Sequence, residues 1–96
     1  MKKEIEKAIQ EQFGCTFAEL SIKSRKRIFS EPRAIACYLL RKHTQMTLEE
    51  IAQTFNRNHA SVVYNVKLIK EWMLFDYKFY IIVKYLEERI NESRIA

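Results

Sequence analysis

The sequence predicts an all-α fold, a helical bundle that contains a helix-turn-helix. Among its 96 residues there is one glycine and one proline, so residues that favour turns are scarce. Apolar residues recur at helical spacing along most of the chain, and two threonines each stand three residues before a glutamate, which is a helix-start pattern. Because 48% of the residues are hydrophobic, we expect one domain over residues 1–96 with its own core.

The first half of the chain divides into three helical segments. Residues 2–13 carry apolar side chains at helical spacing, and Gly14 follows as a C-terminal stop. Thr16 is the N-cap of a short helix that ends near residue 20 or 21. Pro32 occupies a first-turn position and opens a third helix, which runs to about His43. Its buried stripe is Ile35, Leu39 and Leu40.

The second half begins with a capping box, Thr47-Leu48-Glu49-Glu50, which predicts a short fourth helix. The chain turns at Asn56-Arg57, and a fifth helix starts near Asn58 and runs past Trp72. Its predicted core stripe comprises Val62, Val63, Val66, Ile69 and Met73. A final amphipathic segment over about residues 77–91 either forms a separate helix or follows a bend near residues 74–76. Its apolar residues are Ile81, Ile82, Tyr85, Leu86 and Ile90.

A short capped helix, a tight turn and a longer helix with a polar start are typical of a helix-turn-helix. In that motif the first residues of the second helix enter the major groove of DNA. The candidate base contacts are therefore Asn58, His59, Ala60 and Ser61. An amide or an imidazole can bond base edges, and a methyl group can contact the thymine methyl. A helix pair without DNA contact is the alternative, since capped helix pairs are common in all-α proteins.

Basic residues favour the DNA interpretation. Lys and Arg outnumber Asp and Glu by 17 to 12, and Lys23-Ser24-Arg25-Lys26-Arg27 places four bases in five residues. Such side chains neutralise phosphates, and an arginine in an arm can enter the minor groove. For an isolated run a solvated loop is the usual explanation, but this run precedes the helix that leads into the helix-turn-helix.

The sequence lacks the residues that several other classes of function require. The two histidines, His43 and His59, have no acidic companions at ligand spacing, and Cys15 and Cys37 form no metal or nucleophile motif. We expect His43 to interact with helix-end carbonyls. A chain with one glycine has no phosphate-cradling loop, and no apolar stretch is long enough for a membrane span. We expect no enzyme, no cofactor and no metal.

The stretch LSIKSRKRIFSEPRAIACYLLRKHTQMTLEEIAQTF, followed by NHASVVYNVKLI, resembles the C-terminal DNA-binding domain of the bacterial replication initiator DnaA. In that family a basic loop leads into a P-R-Q-I-A-M-Y-L-type helix. An S-L-x-E-I-G-x-x-F helix and a recognition helix beginning D-H-T-T-V follow. The resemblance spans at least residues 5–69.

The resemblance implies a role for each matching residue. Arg25 falls at the minor-groove arginine, and Lys23 and Arg27 fall at phosphate contacts beside it. Arg33 and Thr44 also match phosphate-contacting positions. His59 falls at the histidine that reads bases, and Ser61 matches a threonine that supports the same helix end.

The sequence also departs from the family pattern. Asn58 replaces an aspartate that accepts from a base amino group, Ala60 replaces a threonine, and Tyr64 replaces a histidine one turn along. Glu49 replaces a proline, and the turn at residues 56–57 is one residue shorter than the glycine-rich original. We therefore expect the mode of binding to carry over better than the sequence that is read.

The resemblance implies binding to double-stranded DNA at a replication origin, in the bacterial cytoplasm and associated with the nucleoid. The ATPase module of the family is absent from these residues, so we expect either a free-standing relative or part of a longer chain, without a nucleotide of its own. Two alternatives remain open. One is a protein-interaction domain or dimer that uses the aromatic segment around Phe75, Tyr80 and Ile81; the other is a DNA-binding appendage of a mobile-element protein or transcription regulator.

Overall fold

A computed structural model describes residues 1–22, 24 and 26–95, with side chains up to residue 93. Six helices follow one another along the chain: α1 (Lys2–Phe13), α2 (Phe17–Leu20), α3 (Arg27–His43), α4 (Leu48–Thr54), α5 (His59–Phe75) and α6 (Tyr77–Ile95). The described residues contain no strand, and the predicted all-α class is confirmed. None of the described helices is both long and apolar enough to cross a bilayer.

The helix ends follow from local chemistry that the sequence shows. Gly14 ends α1 in the left-handed region, with φ 74°, a conformation that costs glycine little. Thr16 and Thr47 each accept a hydrogen bond from the backbone N–H of a glutamate three residues on, whose side chain returns to the threonine N–H. Both predicted capping boxes are confirmed, so α2 and α4 are short helices with well-defined starts.

The predicted start of α3 at Pro32 is wrong, because the helix begins five residues earlier at Arg27. Lys26 has an extended backbone and is the N-cap of α3, and its carbonyl accepts hydrogen bonds from the N–H groups of Phe29 and Ser30. Pro32 therefore lies inside the helix, where it cannot donate to the carbonyl of Ile28. As a consequence, Arg27 belongs to the first turn of a helix rather than to the loop before it.

Helix α3 is the centre of the bundle and packs against α1, α2, α4 and α5. Its predicted stripe of Ile35, Leu39 and Leu40 is fully buried. The rings of Phe17 and Phe55 meet edge to face at 4.9 Å and close the core beneath α2 and α4. This core fixes the position of α4 and α5, the two helices of the helix-turn-helix.

The connection between α4 and α5 is a Schellman turn with asparagine in the position that glycine usually takes. The Arg57 N–H donates to the Ala52 carbonyl at 2.8 Å, and the Asn56 N–H donates to the Gln53 carbonyl at 3.2 Å. Asn56 has a positive φ of 53°, which asparagine tolerates better than most residues. This turn explains how the chain reverses here without glycine.

The last two helices form a hairpin that is interrupted at Asp76. The Asp76 carboxylate accepts from the Phe79 N–H at 3.1 Å, so it caps a separate sixth helix. Val62 and Ile69 are buried as predicted, but Val63 is 43% exposed and does not belong to the core. In α6, Ile81 and Tyr85 are each 48% exposed. The buried face comprises Phe79, Val83, Leu86 and Ile90.

Candidate nucleic-acid interface

The start of α5 presents an exposed polar end. Asn58 is its N-cap, and the Asn58 side-chain oxygen accepts from the Ser61 N–H at 2.9 Å. His59 and Ala60 follow in the first turn, and both are exposed. Because the Asn58 oxygen is used by the cap, the Nδ2 amide group is the part of this side chain that has no bond among the described residues. Asn58 can therefore donate a hydrogen bond to its surroundings through Nδ2.

The same helix carries a second exposed group one turn later. Tyr64 is 63% exposed, and the spacing of four residues places it on the same face as Ala60. Both residues line a cleft of about 360 Å³ between α3 and the start of α5. The remaining lining residues are Ser30, Arg33, Arg57, Asn58, Ser61 and Asn65. Among the described residues that line this cleft there are two arginines and no carboxylate, so the cleft suits an anion.

Arg33 is only 5% exposed, although the resemblance implies a phosphate contact for it. Its Nε donates to the Leu20 carbonyl at 2.7 Å, and its Nη2 donates to the Ile22 carbonyl at 3.1 Å. Both Nη atoms also lie 3.3 Å from the Ser24 carbonyl. These bonds occupy four of the five N–H donors of a guanidinium. The Arg33 side chain thus extends from α3 to the segment that precedes this helix, where it bonds three backbone carbonyls.

Arg57 is a member of this site that the sequence interpretation did not include. Its Nη2 donates to the Ile22 carbonyl at 3.0 Å, across 35 positions in sequence. Its Nη1 lies 3.3 Å from the Phe55 carbonyl and 3.2 Å from the Asn56 carbonyl. Burial lowers the pKa of Arg33, and the positive charge of Arg57 lowers that pKa further. The two guanidiniums are thus close enough to repel each other.

Two other predicted contacts hold bonds within the protein. The Arg27 side chain is 80% exposed, and its Nε lies 3.2 Å from the Glu31 carboxylate one turn along α3. The Thr44 hydroxyl ends α3 by donating to the Leu40 carbonyl, and it accepts from the Met46 N–H at 3.1 Å. Both side chains remain predicted phosphate contacts, but each would exchange an internal bond for the phosphate. Lys23 and Arg25 lie outside the described residues.

The model of the bacterial DnaA protein helix-turn-helix family matches residues 2–69 of this chain. The chain belongs to this family. The matched segment includes every residue proposed to contact DNA, together with Arg57. It ends within α5, so the last residues of α5 and all of α6 lie beyond the match.

Relatives named chromosomal replication initiator protein DnaA agree with this membership. The DnaA of Desulfotalea psychrophila is 43% identical over 63 residues, which are 66% of this chain and 13% of that protein. The DnaA of Wolbachia pipientis wMel is 36% identical over 77 residues, 79% of this chain and 17% of that protein. The DnaA of a Picosynechococcus strain is 33% identical over 82 residues, 84% of this chain and 18% of that protein. The chain thus spans less than a fifth of the length of these DnaA proteins.

Outside the DnaA family match, α6 contributes a buried carboxylate that joins it to α3. Glu87 is 5% exposed, and its Oε2 lies 2.7 Å from Nε2 of His43 and 2.8 Å from Nζ of Lys42. Burial alone would raise the pKa of Glu87, but the hydrogen bonds from Lys42 and His43 outweigh burial and hold that pKa below its ordinary value. His43 is the last residue of α3, as expected of a helix-end residue, and its imidazole also bonds a carboxylate on another helix.

The two cysteines of this DnaA-family domain are both buried. Cys37 is buried, and burial raises the pKa of its thiol to about 11. Cys15 is also buried, and its Sγ lies 3.9 Å from the Ile28 carbonyl that Pro32 leaves without its helical donor. No group of three or more potential metal ligands is found among the described residues.

Proposed function

We propose that this chain is a sequence-specific binding domain for double-stranded DNA, in which the start of α5 reads the major groove. The observation that carries the proposal is the exposed first turn of α5, with Asn58, His59 and Ala60 beside a cleft that contains two arginines. Membership of the DnaA helix-turn-helix family supports it. In a helix-turn-helix this helix end is the part that reaches base edges.

The cap at the start of α5 determines what Asn58 can read. Its oxygen is bonded to the Ser61 N–H, so the group that it offers a base is the Nδ2 donor. In the major groove the acceptors are N7 and O6 of guanine, N7 of adenine and O4 of thymine. We therefore propose a base with such an acceptor at the position that Asn58 reads. His59 reads an adjacent base, and the Ala60 methyl contacts apolar groups such as the thymine methyl.

The basic run supplies the second half of the proposed interface. Lys23, Arg25 and Arg27 would bind phosphates and the minor groove, and the net charge of +5 attracts DNA from a distance. Each phosphate that the domain neutralises would contribute roughly −0.9 to the slope of log affinity against log salt concentration. The major-groove helix gives sequence preference, and the basic residues give most of the salt-sensitive affinity.

The names of the relatives support a proposal for the biological setting. They are chromosomal replication initiator proteins, so we propose that this domain binds a replication origin or regulates such binding in the bacterial cytoplasm. An appendage of a mobile-element protein or transcription regulator would use the same helix end. The sequence of the gene on either side of this segment separates these settings.

A protein-interaction domain is a second candidate function, because the turn between α5 and α6 exposes large apolar side chains. Leu74 is 80% exposed, Phe75 is 87% exposed and Tyr77 is 75% exposed. Exposed apolar patches of this kind are often contact surfaces. This surface lies on the hairpin beyond the DnaA family match, so it is compatible with DNA binding at the start of α5.

Selection from a library of random duplexes, at two salt concentrations, tests the proposed function. Wild-type protein should enrich a short motif, and His59→Ala should lose the enrichment while it retains salt-sensitive binding to random DNA. Lys78→Ala, which removes a cation from the first turn of α6, is the control and should select the same motif as wild type. Equal losses for His59→Ala on selected and random duplexes would show that His59 does not read bases.

A further inference from the structure

The carbonyl of Ile22 lies where two parts of the interface meet. It accepts from Nη2 of Arg33 at 3.1 Å and from Nη2 of Arg57 at 3.0 Å. Arg33 comes from α3, whereas Arg57 comes from the turn before the major-groove helix. A single backbone group therefore connects the segment that leads into the basic run to the turn of the helix-turn-helix.

Hydrogen bonds, rather than apolar packing, hold the segment at Ile22. The Ile22 side chain is 60% exposed, so it does not anchor the backbone in the core. Arg33 bonds the carbonyls of Leu20 and Ser24 on either side. Arg57 connects the Ile22 carbonyl to the turn before α5, because the same guanidinium also contacts the carbonyls of Phe55 and Asn56 in that turn.

We propose that Arg57 is a positioning residue, which holds the backbone at Ile22, where the chain enters the basic run, in a fixed relation to the start of α5. The inference rests on the proposed function, because DNA is the ligand that both parts of the interface would share. Its physical basis is the planar fork of the guanidinium, which reaches carbonyls on two segments at once. A lysine would keep the positive charge at this position but would lack the fork.

The charges around Arg57 explain why DNA would strengthen this coupling. Arg33 and Arg57 repel each other, and no carboxylate occurs among the described residues that line their cleft. The carbonyls of Ile22, Phe55 and Asn56 offset part of this repulsion. A phosphate near the cleft would offset more of it, so the contacts of Arg33 and Arg57 with the Ile22 carbonyl are stabilised when DNA is bound.

Positioning and direct phosphate contact by Arg57 predict different measurements. A direct contact acts independently of the basic run, and its loss lowers the salt slope by about 0.9. A positioning role requires the basic run to be intact, so removing Arg25 should remove most of the effect of changing Arg57. Arg57→Lys separates the two roles because it retains the charge. Arg41→Lys makes the same change at an exposed arginine of α3 and serves as the control.

Amide hydrogen exchange in the free protein provides the first test. The Ser24 N–H donates to the Ile22 carbonyl at 2.8 Å, so its exchange reports on this segment. In Arg57→Lys we expect exchange at Ser24 to become about tenfold faster, as for the loss of one charge-assisted bond. Exchange at buried amides of α3 should stay unchanged, and Arg41→Lys should match wild type. Unchanged exchange at Ser24 would overturn the positioning role.

A double-mutant cycle on the duplex selected by wild type provides the second test. Arg57→Lys should weaken binding about tenfold when Arg25 is present and less than about twofold in the Arg25→Ala background. The salt slope should stay that of the parent protein in each background. Equal losses in both backgrounds would overturn the coupling. If wild type binds no duplex at all, the proposed function is wrong, and exchange at Ser24 alone decides whether Arg57 positions this segment.

Discussion

Asn58 should carry two separable functions, and exchanging it for aspartate or alanine separates them. The side-chain oxygen caps α5 through the Ser61 N–H at 2.9 Å, while the Nδ2 amide is the proposed base-reading group. Asn58→Asp keeps an acceptor for the cap and places a negative charge at the helix start, where it interacts favourably with the dipole. It also removes the only donor of this side chain. Asn58→Ala removes both the cap and the donor.

The expected magnitudes follow from these contacts. Loss of the cap in Asn58→Ala should lower the free energy of unfolding by about 1 kcal/mol, which corresponds to a decrease in Tm of about 4 to 8 °C for a domain of this size. Asn58→Asp should unfold within about 0.5 kcal/mol of wild type. Its base preference, however, should change from a base with an acceptor to cytosine, which presents only its N4 donor in the major groove, with a discrimination of about 1 to 3 kcal/mol.

Thermal unfolding and duplex selection on the three proteins measure these two effects independently. The expected pattern is a stable Asn58→Asp with an altered motif and a less stable Asn58→Ala with no preference at that position. If Asn58→Asp selects the same base as wild type, Asn58 does not read DNA through its amide. If Asn58→Ala is as stable as wild type, the cap does not contribute as described.

Three further predictions concern the residues around the interface. Arg33→Met should lower the free energy of unfolding by about 3 kcal/mol because it leaves the carbonyls of Leu20 and Ser24 without their donor and removes one of the donors to the Ile22 carbonyl; urea denaturation measures this, and an effect no larger than that of Arg41→Met would contradict it. Glu87→Gln should lower stability at neutral pH by about 2 kcal/mol. The folded-state pKa of Glu87 lies below its ordinary value of 4.5, so the stabilisation from the Glu87 carboxylate is complete above that value and is lost as the pH falls through the folded pKa. The free energy of unfolding, measured across these pH values, should therefore depend less on pH in Glu87→Gln than in wild type. Equal pH dependence in both proteins would be inconsistent with the ion pair. Cys37, with a pKa of about 11, should resist iodoacetamide at neutral pH until the protein unfolds, and rapid native-state modification found by mass spectrometry would contradict its burial.

The sequence predicted those features that depend on neighbouring residues. The capping boxes at Thr16 and Thr47 and the stop at Gly14 each use bonds within about one helical turn. They were therefore visible in the sequence and are confirmed. Pro32 misled the prediction of α3, because a proline at a first-turn position and a proline inside a helix look alike in the sequence.

Features that depend on distant contacts were missed or misinterpreted. The bond from Arg57 to the Ile22 carbonyl spans 35 positions, and the sequence contains no pattern that announces it. The resemblance implies a phosphate contact for Arg33, which stays a prediction, but the sequence did not show the bonds from its guanidinium to the Leu20 and Ile22 carbonyls. Val63, Ile81 and Tyr85 are apolar residues at the margin of a helical stripe, and the exact rotation of each helix decided their exposure. Asn56 could have indicated the turn that places Arg57, because asparagine tolerates the positive φ of a helix-ending turn.

Backbone amide chemical-shift mapping by NMR, during titration with the duplex that wild type selects, tests the central claim most directly. The account predicts that the largest changes occur at residues 58–64 and in the segment around Ile22 and Ser24. Changes in the hairpin around residues 74–81 should be small. Large shifts in that hairpin with none at residues 58–64 would contradict reading by α5, and they would favour a different contact surface for this domain.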